Sequence, residues 1–131
     1  MITAAGGQID AAFTFGEDTA LPSFGLQMVV VGRASGLGYG DNVNIYQWNY
    51  TTSSWDTLVE EISNRASDST TRNFLRTDAD HISGDQLKLR FKNSGIDGAP
   101  ILYIDQLNLE RLLVSGEGGA PSWSIIILSS L

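Results

Sequence analysis

From Asp85 to Leu109 the chain reads DQLKLRFKNSGIDGAPILYIDQLNL, and no other stretch narrows the possible folds as far. Leu87, Leu89 and Phe91 alternate with Lys88, Arg90 and Lys92, a period of two that places apolar side chains on one face of a strand and cations on the other. Asn93 to Pro100 is dense in turn formers, and a second extended run starts at Ile101. Two strands joined by a short turn-rich segment pair antiparallel, so the fold class expected is an all-β sandwich.

The rest of the chain has the same punctuation. Ile9 to Phe15 is a first strand after Gly6-Gly7, and Phe24 to Ser35 is a stronger second one. In the latter, Leu26, Met28 and Val30 share one face and Val29, Val31 and Arg33 the other, which predicts a strand with neighbours on both sides. Val43 to Tyr50, a turn at Thr51 to Ser54, and Trp55 to Glu60 read as a hairpin. Leu58 to Asn64 has the alternative of a single helical turn. Ala66 to Thr71 is expected as a loop, Arg72 to Arg76 as a short strand and Asp78 to Ile82 as another. Gly116 to Pro121 links to a last β-rich run, Ser122 to Leu128. Eight or nine short strands spaced in this way suit an antiparallel jelly roll.

At 131 residues the chain is one domain, 1–131, able to bury roughly two thirds of the surface its unfolded form exposes. Residues 1–8 are expected to form an N-terminal arm and 122–131 a C-terminal strand or tail. A net charge of −7, with only eight basic residues, argues against a nucleic-acid partner, which requires a basic face. The absence of cysteine excludes disulfides and thiolate metal sites. The N-terminus lacks a basic segment followed by an apolar one, so no signal peptide and synthesis in the cytoplasm are expected. No apolar run is long enough to span a bilayer.

Few constellations carry chemistry. Gly36-Leu37-Gly38-Tyr39-Gly40-Asp41 follows an apolar strand, but its glycine spacing is wrong for a dinucleotide loop and the next segment is a strand. His81 is the single histidine, and a zinc site needs more ligands than it can supply. A Ser-His-Asp set can be assembled on paper, yet no nucleophile elbow accompanies it. Glu17-Asp18 and Glu60-Glu61 are adjacent in sequence and so face opposite ways in strands, which does not suit a glycosidase pair. Asn49-Tyr50-Thr51 has the form of a glycosylation sequon. The chain is therefore expected not to be an enzyme.

Two rows of apolar residues need explanation. Tyr46, Trp48 and Tyr50 fall on one face of a strand with Trp55 just across the turn. Flat rings exposed in a row form a carbohydrate platform, whereas the same rings turned inward fill a core, and the core is the placement expected. Trp123 to Leu128 is apolar on both faces. Such a strand is expected either at the centre of a sheet or buried against a partner through Trp123, Ile125, Ile126, Ile127 and Leu128.

The segment from Gly84 to Phe91, followed by Leu102-Tyr103-Ile104-Asp105-Gln106-Leu107-Asn108-Leu109, resembles the closing strands of jelly rolls in carbohydrate-binding modules and in bacteriophage capsid decoration (cement) proteins. The second resemblance implies a structural protein without cofactor. It would sit on the virion surface as a homo-oligomer, a trimer for preference, with the major capsid protein as partner. The first implies a carbohydrate-binding module using Tyr46, Trp48, Tyr50 and Trp55. It also implies a structural calcium near Asp105, for which Asp10, Asp41 and Asn42 would be further oxygen donors. By its place in the strand Asp105 shares a face with Ile101, Tyr103, Leu107 and Leu109, so a hydrogen bond to a neighbouring loop is the role expected of it.

Overall fold

A computed structural model describes residues 2–3, 8–16, 26–84, 86–95, 98–111 and 126–130. The described residues contain no helix and nine strands: β1 (Ile2–Thr3), β2 (Asp10–Gly16), β3 (Leu26–Ser35), β4 (Val43–Asn49), β5 (Ser54–Ile62), β6 (Ser69–Phe74), β7 (Gln86–Asn93), β8 (Ile101–Arg111) and β9 (Ile126–Ser130). They form two antiparallel sheets, one in the order β1-β8-β3-β6 and the other β5-β4-β7-β2-β9.

The order has a simple logic. Strands β1 and β8, β2 and β7, β3 and β6, and β4 and β5 are antiparallel partners. The first eight strands are thus one long ribbon of hairpin pairs, folded so that β3 also meets β8 and β4 also meets β7. That wrapping of a four-pair ribbon into two four-stranded sheets is a jelly roll. β9 is an addition at the edge of the second sheet, where it pairs with β2.

The core lies between the sheets. Met28 and Val30 of β3 and Leu102 and Leu109 of β8 face Val43 and Ile45 of β4, Leu87, Leu89 and Phe91 of β7, and Phe15 of β2. Register places Ile45 and Ala11 on either side of Phe91, and Phe13 meets the Phe91 ring edge-on at 5.7 Å. Burying a side chain of this size contributes roughly 1.5–3 kcal/mol. The alternation read in β7 is realised without exception: Leu87, Leu89, Phe91 and Asn93 are buried and Gln86, Lys88, Arg90 and Lys92 are half-exposed.

Several expectations are corrected. β7 and β8, expected to pair with each other, lie in different sheets, each paired with other strands. Ile2 and Thr3 do not project as an arm but pair with Leu102 and Ile101. Leu58 to Ile62 continues β5 with no helical turn, because Leu58 and Ile62 are both needed in the core. Asp78 to Ile82 is a turn, in which the Asp78 carboxylate and carbonyl both accept from the backbone N–H of His81. β6 begins earlier than expected, at Ser69, because Thr70 and Thr71 pair with Val31 and Val30.

A change of register in β8 decides the face of Asp105. Gly32 opposes Ile104 and Val31 opposes Gln106, so Asp105 is an extra, unpaired residue in a β-bulge. One added residue inverts the alternation. Tyr103 faces away from the core, Leu107 and Leu109 face towards it, and Asp105 is exposed rather than sharing their face. Gly32 is required at this point, since a Cβ there would lie 2.2 Å from the Tyr103 carbonyl oxygen. Gly36 has a comparable constraint, with φ at +72° and the Ala99 carbonyl 2.4 Å from where a Cβ would be.

Candidate functional site

β4 alternates strictly. Val43, Ile45, Gln47 and Asn49 are buried, while Asn44, Tyr46 and Trp48 are half-exposed, as is Tyr50 just beyond the strand. The aromatic row therefore lies on the outer face of the five-stranded sheet, and the core placement expected for it is wrong. The decisive residues are Val43 and Ile45. Being opposite in register to Asn93 and Phe91, they claim the inner face, and a period of two leaves the rings no alternative to the outside.

The rings meet the cations of β7 there. Tyr46 is opposite Arg90 on one side and Thr57 on the other, and Trp48 is opposite Trp55. The Trp48 and Trp55 ring centroids are 5.0 Å apart at 66°. Lys88 Nζ lies 5.8 Å from the centroids of both Trp48 and Tyr50, and Arg90 Cζ lies 5.6 Å from that of Trp55. Arg90 in turn donates from Nε to Asp10 Oδ1 at 2.7 Å and from a second nitrogen to Oδ2. That fork holds the Asp10 carboxyl below its ordinary pKa, against the opposing effect of burial, and raises that of Arg90. Burial raises the Tyr50 hydroxyl. Tyr46, Trp55, Arg90 and Lys92, with Gln8, Asn93 and Ser94, line an open cleft of about 260 Å³ at one end of this face.

Two polar networks fix the ends of β4. At the start, Asp41 accepts from Asn93 Nδ2 at 2.9 Å and from Ser94 Oγ at 2.8 Å. Asn93, fully buried, accepts from the Ile9 N–H at 2.6 Å. At the other end Gln47, also fully buried, pairs with the backbone of Arg76, donating to its carbonyl at 2.8 Å and accepting from its N–H at 2.9 Å. Asn49 Oδ1 caps the hairpin turn through the N–H groups of Thr51 and Thr52, and its Nδ2 donates to Asp56. The Asn49 sequon is consequently spent on structure.

His81 completes this end. Only 5 % exposed, it places Nδ1 2.6 Å from Asp78 Oδ1 and Nε2 2.7 Å from Asp56 Oδ2. Carboxylates only accept, so an imidazolium satisfies both and a neutral ring only one. The His81 hydrogen bond is the main cause that lowers the pKa of Asp56 and likewise that of Asp78. With Tyr50 N–H donating to the Asp80 carbonyl and Thr51 Oγ1 bonded to the Asp80 carboxylate, the turn before β7 is clamped to the tip of the β4–β5 hairpin. Arg76 adds a looser contact to Asp56 at 3.7 Å. The network positions the Trp48–Tyr50 end of the aromatic row, and sequence reading missed it because the contacts that close it, His81 to Asp56 and Thr51 to Asp80, join residues 25 and 29 apart.

The other candidates are not gathered together. Asp105 is exposed on β8 in the four-stranded sheet, whereas Asp10, Asp41 and Asn42 belong to the other sheet and its loops and are engaged with Arg90, Asn93 and Glu61. Among the described residues no three His, Cys, Asp or Glu side chains converge as metal ligands, and no helix is long and apolar enough to cross a membrane. Glu61 is exposed and bonded to Asn42; Glu17 and Asp18 lie outside the described residues. So do Trp123 and Ile125, while Ile126, Ile127 and Leu128 belong to β9, an edge strand and not a central one.

No family model, curated protein or solved structure matches this chain.

Proposed function

We propose that this protein is a non-enzymatic jelly-roll recognition module that binds carbohydrate on the outer face of its five-stranded sheet. The carrying observation is the outward placement of Tyr46, Trp48, Tyr50 and Trp55 in one contiguous row. Large rings left half-exposed on a rigid sheet leave apolar area in water that a flat apolar ligand face recovers. Sugar rings have such C–H faces, and at the margin the half-exposed Asn44, with the oxygens of Gln8 and Ser94 as acceptors, offers hydrogen bonds to hydroxyls. The platform is pre-organised: Trp48 is braced by Trp55, and the hairpin tip is tied down through Gln47, Asn49 and His81. Little entropy is then lost on binding. A glycan array tests this directly, with wild type binding a subset of glycans and Trp48→Ala and Trp55→Ala losing them while remaining folded. A wild-type protein blank across the array overturns it.

A second reading is favoured by β9. It ends the strand order of its sheet, and among the described residues nothing pairs with its far edge. An open edge is a template for a strand of another chain. This supports a capsid decoration protein that self-associates and docks on a capsid lattice formed by the major capsid protein. Size-exclusion chromatography with light scattering, and co-sedimentation with capsid particles, separate it from a free-standing binder.

A further inference from the structure

Resting on the carbohydrate reading, we propose that the ligand is an acidic oligosaccharide whose carboxylates pair with Lys88 and Lys92. The two lysines and Arg90 alternate along β7 beside the aromatic row, so the rings and the cations form one surface. Arg90 is committed to Asp10. Neither Lys88 nor Lys92 makes an ion pair among the described residues, although Lys92 stands opposite Asp10 and its charge helps to lower the pKa of that carboxyl. Both are half-buried, and Lys88 lies over the Trp48 and Tyr50 rings. A neutral sugar stacked there would strip water from these ammonium groups and return only hydroxyl acceptors; a carboxylate replaces the lost hydration with a stronger, charge-assisted hydrogen bond.

The placement suits a short chain of sugars. Four residues of strand separate Lys88 from Lys92 by roughly 13 Å. Lys92 lines the cleft with Tyr46 and Trp55, whereas Lys88 stands at the far end of the row. The cleft, about 260 Å³, is a little smaller than an ordinary small-ligand pocket, which limits it to at most a single ring with the remainder lying along Trp48 and Tyr50. A densely charged polyphosphate is the poorer fit. The protein as a whole carries a net charge of −7, which repels any polyanion at long range, and the more strongly the denser its charge, so the sparser carboxylates of an acidic oligosaccharide are opposed less.

The test is calorimetric titration of the full chain with oligogalacturonates, oligomannuronates, oligoguluronates and hyaluronan oligomers. Each is set against its methyl ester, which removes charge and little else. At least one acid is expected to bind tenfold or more tighter than its ester. Lys88→Met with Lys92→Met should abolish that difference without altering the melting temperature, and 0.5 M salt should shrink it. Equal affinity for every acid and its ester overturns the charge preference while leaving a carbohydrate face in place. No binding by any acid, ester or neutral glycan overturns both. A single-stranded oligonucleotide binding more tightly than every acid would assign the face to nucleic acid and overturn the proposal.

Discussion

Trp48 and Trp55 stand directly opposite each other across β4 and β5, their rings 5.0 Å apart and inclined at 66°, on the outside of the sheet. A tilted pair of this kind stabilises by roughly 0.5–1.5 kcal/mol beyond its area, and neither ring fills the core. Trp48→Ala should therefore cost only about 1–2 kcal/mol. Phe91→Ala, at a fully buried site touching both neighbouring strands, should cost about 3–5 kcal/mol. Urea unfolding of the two variants checks the ranking, and a reversed order would place Trp48 inside.

Acid should destabilise the protein through Asp56, Asp78 and Asp10, whose carboxyl groups are all held below the ordinary value of 3.8. A pKa depressed in the folded state contributes stability that is complete above the unfolded value and is lost as pH falls through the folded one. The melting temperature should hold down to about pH 4 and drop below it. Asp56→Asn and Asp78→Asn should start lower at neutral pH and fall less steeply in acid. A profile as steep in the double variant as in wild type would exclude these carboxylates as the cause.

Gln47→Leu is nearly matched in volume but leaves the N–H and carbonyl of Arg76 without their partner. The expected cost is about 2 kcal/mol. Hydrogen exchange should also rise in residues 76–83 before it rises in β7, since that segment is what Gln47 holds.

Asp105, exposed on its bulge, should tolerate replacement by alanine within about 0.5 kcal/mol. Chelator should leave the melting temperature of wild type unchanged. A chelator-dependent drop that disappears in Asp105→Ala would establish a bound cation there.

The sandwich was legible because β7 and β4 alternate with no interruption, and because β3 is apolar on both faces. The orientation of the aromatic row was also present in the sequence. Val43 and Ile45 occupy the opposite positions to Tyr46 and Trp48, and small β-branched residues are what a core between sheets accepts most densely. Ring size had suggested the reverse. The face of Asp105 was not legible, because the bulge that sets it depends on Gly32, 73 residues away. Nor were the roles of Gln47, Asn93 and His81. Each is a polar residue buried by the fold and satisfied by a segment distant in sequence, and periodicity has no means to signal such a partner.

β9 bears on assembly. Removing residues 123–131 takes away the strand paired with β2. If that edge also joins sibling subunits, the truncated chain should run as monomers or aggregates and lose any affinity for capsid particles. A full-length protein that is already a stable 14.1 kDa monomer and ignores capsids would exclude the decoration role.

The most direct measurement is an NMR titration of the full chain with a glycan selected on the array, following the indole N–H signals. Recognition on the outer sheet face predicts that the Trp48 and Trp55 indoles shift together with the amides of Tyr46, Lys88 and Lys92, while those of β3 and β8 stay in place. Shifts confined to β3, β6 and β8, with both indoles unmoved at saturation, would contradict it.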